Sequence, residues 1–281
     1  MDDLRPRRSI LYLPASRASA VAKARTLDCD GVILDLEDAV APDAKGAARD
    51  AAVAAARGGG WGHRELLLRV NGLATSWSTD DLAAARSCGF GGIVVPKVDT
   101  AADAARAVAQ AGGTPVWAMI ETPRGLLDAP AIAAVPGVVA LVAGFADLAK
   151  DLRLRPDAAR TPLHHAMSVI VVAARAAQVL AFDGVFTDIR DETGLRAEAE
   201  QALAFGFDGK TLVHPGQVDI VNAVFAPSAA ELDAARGLIA AHDAAAADGK
   251  GVTTYDGKLV EVLHVAEARR RLAVAAAIQA R

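Results

Sequence analysis

Cysteine is scarce in this chain: Cys29 and Cys88 are the only two among 281 residues, and neither has CxxC or cysteine–histidine spacing. That excludes a disulfide scaffold and a thiolate metal site, and leads us to expect two free thiols, mostly packing residues, in a reducing compartment. Aromatic residues make up only 4% against 53% hydrophobic residues rich in alanine, which suits helices packed on a sheet better than an all-β sandwich. Positive charge is not in excess, and the net −4 argues against a nucleic-acid surface while leaving room for a local phosphate pocket. Long apolar runs are missing too. The least polar stretch, 131–145, is interrupted by Pro136, Gly137 and Gly144, and the apolar residues 10–14 behind Arg5, Arg7 and Arg8 are too few for a secretory signal. A cytoplasmic protein with no membrane segment is expected. No GxGxxG follows the first apolar run, which removes the main argument for a dinucleotide-binding open sheet.

What the chain does have is alternation. Short, β-branched apolar runs recur at 9–13, 31–35, 66–70, 92–95, 116–120, 138–143, 184–187 and 210–213. Helix-like segments lie between most of them, at 18–27, 44–57, 80–87, 101–111, 163–180 and 195–205, several ending in glycine-bearing turns. Eight such alternations, each strand apolar throughout, predict a parallel (β/α)8 barrel, with a doubly wound open sheet as the fallback. The charged stretch 150–160 reads as a loop elaboration near the active face. The pattern changes after the eighth run: 229–247 and 265–280 read as helices around a glycine-rich turn region, 248–258. The expected organisation is therefore a catalytic barrel over 1–215 and a C-terminal helical extension over 216–281.

On a parallel barrel, functional groups belong at the carboxyl ends of strands. That filter selects Asp35, Glu37, Asp38, Arg69, Asn71, Lys97, Glu121, Asp147, Asp188 and His214. Glu121 and Asp147 follow consecutive runs, so their carboxylates are expected side by side. Two neighbouring anions need a cation, and oxygen ligands without cysteine or histidine point to a hard divalent ion, Mg²⁺, with positions left open for substrate. Arg69 ends a run of leucines and would be costly to bury without the surrounding acids, which would leave part of its fork to hold a carboxylate or carbonyl oxygen. Other readings remain open for each of the rest. Glu37, Asp38 and Asp147 can cap the helices that follow them, Lys97 can be a solvated loop residue, and His214 before Pro215 can be a turn residue.

The blocks RSILYLPAS, GVILDLEDAV, LLLRVNGL, GIVVPKV, MIETPRG, LVAGFADLAKDL, DGVFTDIRDETGL, GFDGKTLVHPGQVDIVNAVFAPS and GKLVEV, in this order, resemble the CitE-like branch of the HpcH/HpaI aldolase/citrate lyase superfamily over nearly the whole chain. The resemblance implies a TIM barrel with a C-terminal lid, forming a homo-oligomer, trimer or hexamer. It also implies Mg²⁺-dependent cleavage (with Mn²⁺ as a substitute) of C–C bonds in 3-hydroxyacyl-CoA thioesters such as malyl-, citramalyl- or citryl-CoA. Carried onto this chain, Glu121 and Asp147 are the metal ligands and Arg69 contacts the carbonyl that becomes an enolate. Glu37 and Asp38 orient metal-bound water and Arg69. Backbone amides around Gly144, Phe145, Ala146 and Asp147 hold the substrate carboxylate, and Arg17 and Lys23 contact the CoA phosphates.

One position departs from the family pattern. Where the branch commonly carries an aspartate after a Gly-x-hydrophobic-hydrophobic stretch, this chain reads Gly257-Lys258-Leu259-Val260-Glu261. Glu261 can move the same proton on the acetyl methyl, but with its carboxylate displaced by one methylene. Two other readings follow from the same resemblance: a citrate lyase β-type subunit acting on a citryl thioester borne by a carrier protein, and a CoA-independent metal aldolase on 2-oxo acids. The second typically carries a histidine where the second strand ends, and none of the six histidines falls there.

Overall fold

Each barrel strand is a run of four to six residues buried on almost every side chain, so the chain writes strands as unbroken apolar stretches. In the computed structural model, which describes residues 5–249 and 252–281, eight of them close into an all-parallel barrel in sequence order. They are β1 (Ser9–Pro14), β2 (Gly31–Asp35), β3 (Glu65–Arg69), β4 (Gly92–Val95), β5 (Val116–Ile120), β6 (Val138–Ala143), β7 (Leu180–Asp183) and β8 (Gly209–Leu212). The helices between and after them are α1 (Ala18–Ala24), α2 (Lys45–Arg57), α3 (Ser78–Cys88), α4 (Ala101–Ala111), α5 (Pro123–Ala133), α6 (Phe145–Asp151), α7 (His164–Ala176), α8 (Glu192–Phe205) and α9 (Val218–Phe225). This is the TIM barrel that the alternation predicts.

The two-residue period of a strand sorts its side chains into two cores. Ile10, Tyr12, Ile33, Leu67, Val94, Trp117, Met119, Ala140, Val142 and Phe182 fill the barrel interior, with Trp117 stacked on Phe182 at 4.5 Å between ring centroids. Leucine, valine and alanine of the opposite parity pack against the helices. Asp35 lies two residues beyond the inward Ile33, and Arg69 two beyond the inward Leu67. The register pairs Asp35 directly with Arg69, so the inner wall turns from apolar to charged at its carboxyl-terminal rim.

The seventh strand corrects the sequence reading. It runs over Leu180–Asp183 instead of 184–187, and the preceding helix stops at Ala176 instead of continuing to 180. The stop carries no glycine. Gln178 itself takes the left-handed conformation, at φ 58°, while the Val179 amide donates to Ala174 O at 2.9 Å, closing the helix as a Schellman turn. Without glycine to mark it, the strand reads as more helix. Asp183 therefore ends this strand, and Asp188 lies on the loop beyond it. The sequence reading also leaves out α5, whose Thr122 cap accepts from the Gly125 amide at 3.0 Å with Pro123 in its first turn.

The contacts divide the chain into a unit spanning Arg7–Phe225 and another holding Ala226–Arg281 with residues 5 and 6. The first continues past position 215 because α9 buries Val218, Val221 and Phe225, while Asn222 accepts from Ser9 Oγ and donates to Asp28 O. The second contains α10 (Ala229–Ala247), the antiparallel hairpin β9 (Thr253–Tyr255) and β10 (Lys258–Val260), and α11 (Val262–Gln279). Asp256 and Gly257 turn the hairpin with φ of 50° and 71°, which suits a tight two-residue loop. Of the expected turn region 248–258, residues 250 and 251 lie outside the described part. Among the described residues, no helix is long and apolar enough to cross a membrane.

Candidate active site

Asp35 is where the charged rim begins. It is 2% exposed, and its carboxylate is fully occupied. Oδ1 accepts from the Glu37 amide at 2.8 Å and Oδ2 from the Ala39 amide at 3.1 Å, folding the turn after β2. The same two oxygens take Arg69 Nε and Nη2, each at 2.7 Å. This fork fixes the guanidinium plane. Its flat face rests on the Tyr12 ring at 4.8 Å from the centroid, and Nη1 lies 2.9 Å from Glu37 Oε2. Burial opposes the Arg69 charge, but the Asp35 hydrogen bonds and the fields of Asp35, Glu37 and Tyr12 together outweigh it and hold the guanidinium protonated. Asp38 is only 3.8 Å from Nη1, with its side chain 65% exposed. Asp35, not Asp38, is the residue that orients Arg69.

Lys45 was not singled out from the sequence, yet it secures the same turn from the other side. Its buried Nζ donates to the carbonyls of Leu36 at 2.8 Å and Glu37 at 2.7 Å, and nothing in its spacing signals this. Lys97, after β4, is a second cation of the rim. Its Nζ reaches Glu37 Oε1 at 3.3 Å, and its own amide donates to Glu121 Oε1 at 2.7 Å. Lys97 makes this donation with φ at 50°, a left-handed conformation unfavourable for a lysine.

Glu121 follows β5 and is 3% exposed. Gly144, at the end of β6, presses against it so closely that a Cβ there would overlap Glu121 Cβ and Oε2. Asp147, half-buried in the first turn of α6, adds its field to that of Glu121. Burial and then Glu37 push the Glu121 carboxyl up to about 7, with Lys97 opposing and Asp147 adding a smaller push in the same direction. Burial raises the Glu37 carboxyl as well, against the pull of Arg69. The Asp35, Glu37, Asp38, Glu121 and Asp147 carboxylates face two cations, Arg69 and Lys97. Carboxylates outnumber cations on this rim, so it attracts positive charge.

The chemistry of two carboxylates fits a divalent cation: Glu121 and Asp147 would supply two hard oxygens and leave the remaining positions to water and substrate, as Mg²⁺ prefers. Among the described residues no group of three or more His, Cys, Asp or Glu side chains is placed to hold a metal. The first-turn amides of Phe145, Ala146 and Asp147 have no carbonyl partner within α6. Gly144 differs, because its amide donates to Ile120 O at 3.0 Å and is not available to a ligand.

Three selected residues have structural partners instead. Asn71 donates through Nδ2 to Asp81 at 2.7 Å, His214 Nδ1 accepts from the Gly216 amide at 3.1 Å, and Asp188 accepts from the Arg190 amide at 3.1 Å. Arg160, within the stretch read as a loop elaboration, is buried and grips Asp183 at 2.8 Å. Asp183 also takes Lys210 Nζ at 2.7 Å, locking β7 to β8. Arg17 and Lys23 are exposed at the two ends of α1. Glu261 is exposed in the C-terminal unit, where its amide donates to His264 Nδ1 at 3.0 Å.

The burial of Glu121 has a thermodynamic consequence in metal-free protein. Its carboxyl holds a proton up to about pH 7 in the fold but loses it near 4.5 when unfolded. Native protein then binds more protons across that window, so stability falls as pH rises from 4.5 to 7 and levels above it, a loss on the order of 3 kcal/mol. Glu121→Gln should flatten this slope in chelator, measured by urea unfolding at about pH 5 and about pH 8. A variant retaining the wild-type slope would assign the effect to another group.

A family model described as HpcH/HpaI aldolase/citrate lyase matches residues 8–215. A protein of Cereibacter sphaeroides named (3S)-malyl-CoA thioesterase is 47% identical over 277 residues, covering 98% of this chain and 96% of its own. Another from that organism, L-malyl-CoA/beta-methylmalyl-CoA lyase, is 35% identical, covering 94% and 93%. The crystal structure of CitE from Mycobacterium tuberculosis, in complex with magnesium, acetoacetate and coenzyme A, superposes with a TM-score of 0.81 at 31% identity, covering 97% of this chain and 99% of that one. The chain thus belongs to the HpcH/HpaI aldolase/citrate lyase family and is an enzyme of the carbon–carbon lyase type.

Proposed function

We propose that the protein is a Mg²⁺-dependent lyase of 3-hydroxyacyl-CoA thioesters such as malyl- or citramalyl-CoA, releasing acetyl-CoA and a 2-oxo acid. The observation that carries this reading is a guanidinium fixed by Asp35 and paired with Glu37, on a rim where Glu37 and Asp147 both act on the buried Glu121 carboxyl. The CitE structure with magnesium and coenzyme A supports the choice of ion and of thioester. Bound by Glu121 and Asp147, the ion would supply Lewis-acid polarisation of the oxygen at C3.

The chain's own groups do the rest. Arg69 receives the thioester carbonyl oxygen on the N–H groups left over from Asp35. As the C2–C3 bond breaks and the hydroxyl gives its proton to a water molecule at the open rim, C3 becomes the oxo carbon and the electron pair of the broken bond passes to C2. Arg69 then faces an enolate oxygen, and a donor already fixed in place stabilises that charge without reorganisation. The amides of Phe145, Ala146 and Asp147 bind the substrate carboxylate. Glu37, held by Lys45 through its carbonyl, keeps Arg69 in register, and Arg17 and Lys23 receive the CoA phosphates. Protonation of C2 completes acetyl-CoA, and Glu261 is the group assigned to it. Glu261→Gln should stop solvent exchange of the acetyl-CoA methyl protons, followed by NMR in deuterium oxide. Exchange persisting at the wild-type rate would remove Glu261 from the mechanism. A homo-oligomeric, cytoplasmic enzyme, trimer or hexamer, completes the reading.

The 47% identity to a (3S)-malyl-CoA thioesterase favours a second reading at the same site. There, water adds to the thioester carbonyl whose oxygen Arg69 holds, the C–S bond breaks, and the sulfur leaves as the protonated thiol of CoA. Purified protein with Mg²⁺ and malyl-, citramalyl-, citryl- and hydroxymethylglutaryl-CoA, its products followed by mass, separates the two. Acetyl-CoA with glyoxylate from malyl-CoA is the lyase result, whereas malate with free CoA and no acetyl-CoA is hydrolysis alone.

A further inference from the structure

We propose that the Lys97 ammonium is a resident counter-ion of the Glu37, Glu121 and Asp147 carboxylates, and that it sets the affinity of the site for a divalent cation by competing for the same charge. The inference rests on the metal reading above. It goes beyond that reading in assigning a role to a residue that is neither a metal ligand nor a substrate contact.

Two features of the geometry carry it. The Lys97 amide is committed to Glu121 Oε1 at 2.7 Å, so the residue cannot swing away as a whole, and it makes that bond with φ at 50°. The side chain, by contrast, is 49% exposed. Its Nζ pairs with Glu37 Oε1 at 3.3 Å, outside the length of a strong charged hydrogen bond. The backbone is thus anchored to one metal-ligand candidate, while the charge is only loosely tethered among the acids. The fields of Glu37, Glu121 and Asp147 all act on this ammonium.

A simple solvated lysine would not need a left-handed backbone at the end of a barrel strand. A structural ion pair would be expected to bury its nitrogen, as Lys210 does at 0% exposure with Asp183 and Glu198 both within 2.7 Å. Lys97 has neither character. When a divalent ion enters between Glu121 and Asp147, it takes over the neutralisation and repels the ammonium, so part of the binding free energy is spent on displacing Lys97. Removing that charge while keeping the stem should tighten metal binding.

Calorimetric titration of Mg²⁺ into chelator-stripped wild type, Lys97→Met, Lys97→Gln and Lys97→Arg tests this without any substrate. Both neutral variants should bind Mg²⁺ at least about tenfold more tightly than wild type, whereas Lys97→Arg, which retains the charge, should stay within about threefold. The rise in Tm on adding Mg²⁺ should be correspondingly larger for the neutral variants. Because the side chain is half exposed, either neutral variant suffices if the other fails to fold. Equal or weaker Mg²⁺ binding by the neutral variants, with wild type binding normally, overturns the role of Lys97 and leaves the metal site intact. No binding by wild type overturns the metal reading, and this inference with it.

Discussion

Arg69→Lys should lower kcat by about a hundredfold to a thousandfold while leaving KM within a few-fold of wild type, the loss typical of removing one preorganised oxyanion donor. The effect follows from shape. Arg69 uses Nε and Nη2 to meet both oxygens of Asp35, and a lysine ammonium, a point charge on a flexible stem, cannot reproduce that fork or lie flat on Tyr12. It would retain the charge near the substrate oxygen, which preserves ground-state binding, but lose the fixed direction on which stabilisation of the developing charge depends. Asp35→Asn should produce a similar kcat loss by releasing the guanidinium, and the double variant should be little worse than either single one, since both remove the same unit. A change confined to KM would reduce Arg69 to a binding residue.

The second large effect is expected at Glu121. Glu121→Gln preserves the shape of the side chain and its acceptor for the Lys97 amide, so the fold should survive. It removes one of two charged metal ligands, and Mg²⁺ affinity should fall by about a hundredfold or more, with metal-dependent turnover lost. Calorimetry of metal binding and circular dichroism together check this. Unchanged affinity in a folded variant would refute the assignment. The loss should not be rescued by lowering pH, because glutamine has no proton to exchange for the ion.

How much of this was written in the sequence depended on the kind of signal each feature left. The barrel was legible because strands buried on both faces must be apolar throughout, and seven of the eight runs fell on strands. The remaining strand was misplaced because its upstream helix stops at Ala176 and turns at Gln178, a left-handed residue that resembles any other helical glutamine. That error carried forward, putting Asp188 where the structure has Asp183. Strand-end position correctly gathered Asp35, Glu37, Arg69, Lys97 and Glu121 on one rim, yet could not rank them. Whether Asp35 or its neighbours orient Arg69 is decided by strand parity and register, which pair Asp35 with Arg69. For Lys97 the solvated-loop reading stayed open beside the site reading, because its left-handed backbone and the hydrogen bond from its amide to Glu121 leave no trace in composition. Asn71 and His214 passed the same positional filter but are taken up by Asp81 and Gly216. Position marks candidates, and only partners separate the groups that hold the fold from those turned to a ligand.

The central claim is that Glu121 and Asp147 together hold one divalent ion beside Arg69. A crystal soaked in Mn²⁺ and measured at the manganese absorption edge tests it most directly. A single anomalous peak within ligand distance of both carboxylates is the predicted result. No peak at that rim, or carboxylates turned apart with the ion bound elsewhere, would contradict the account.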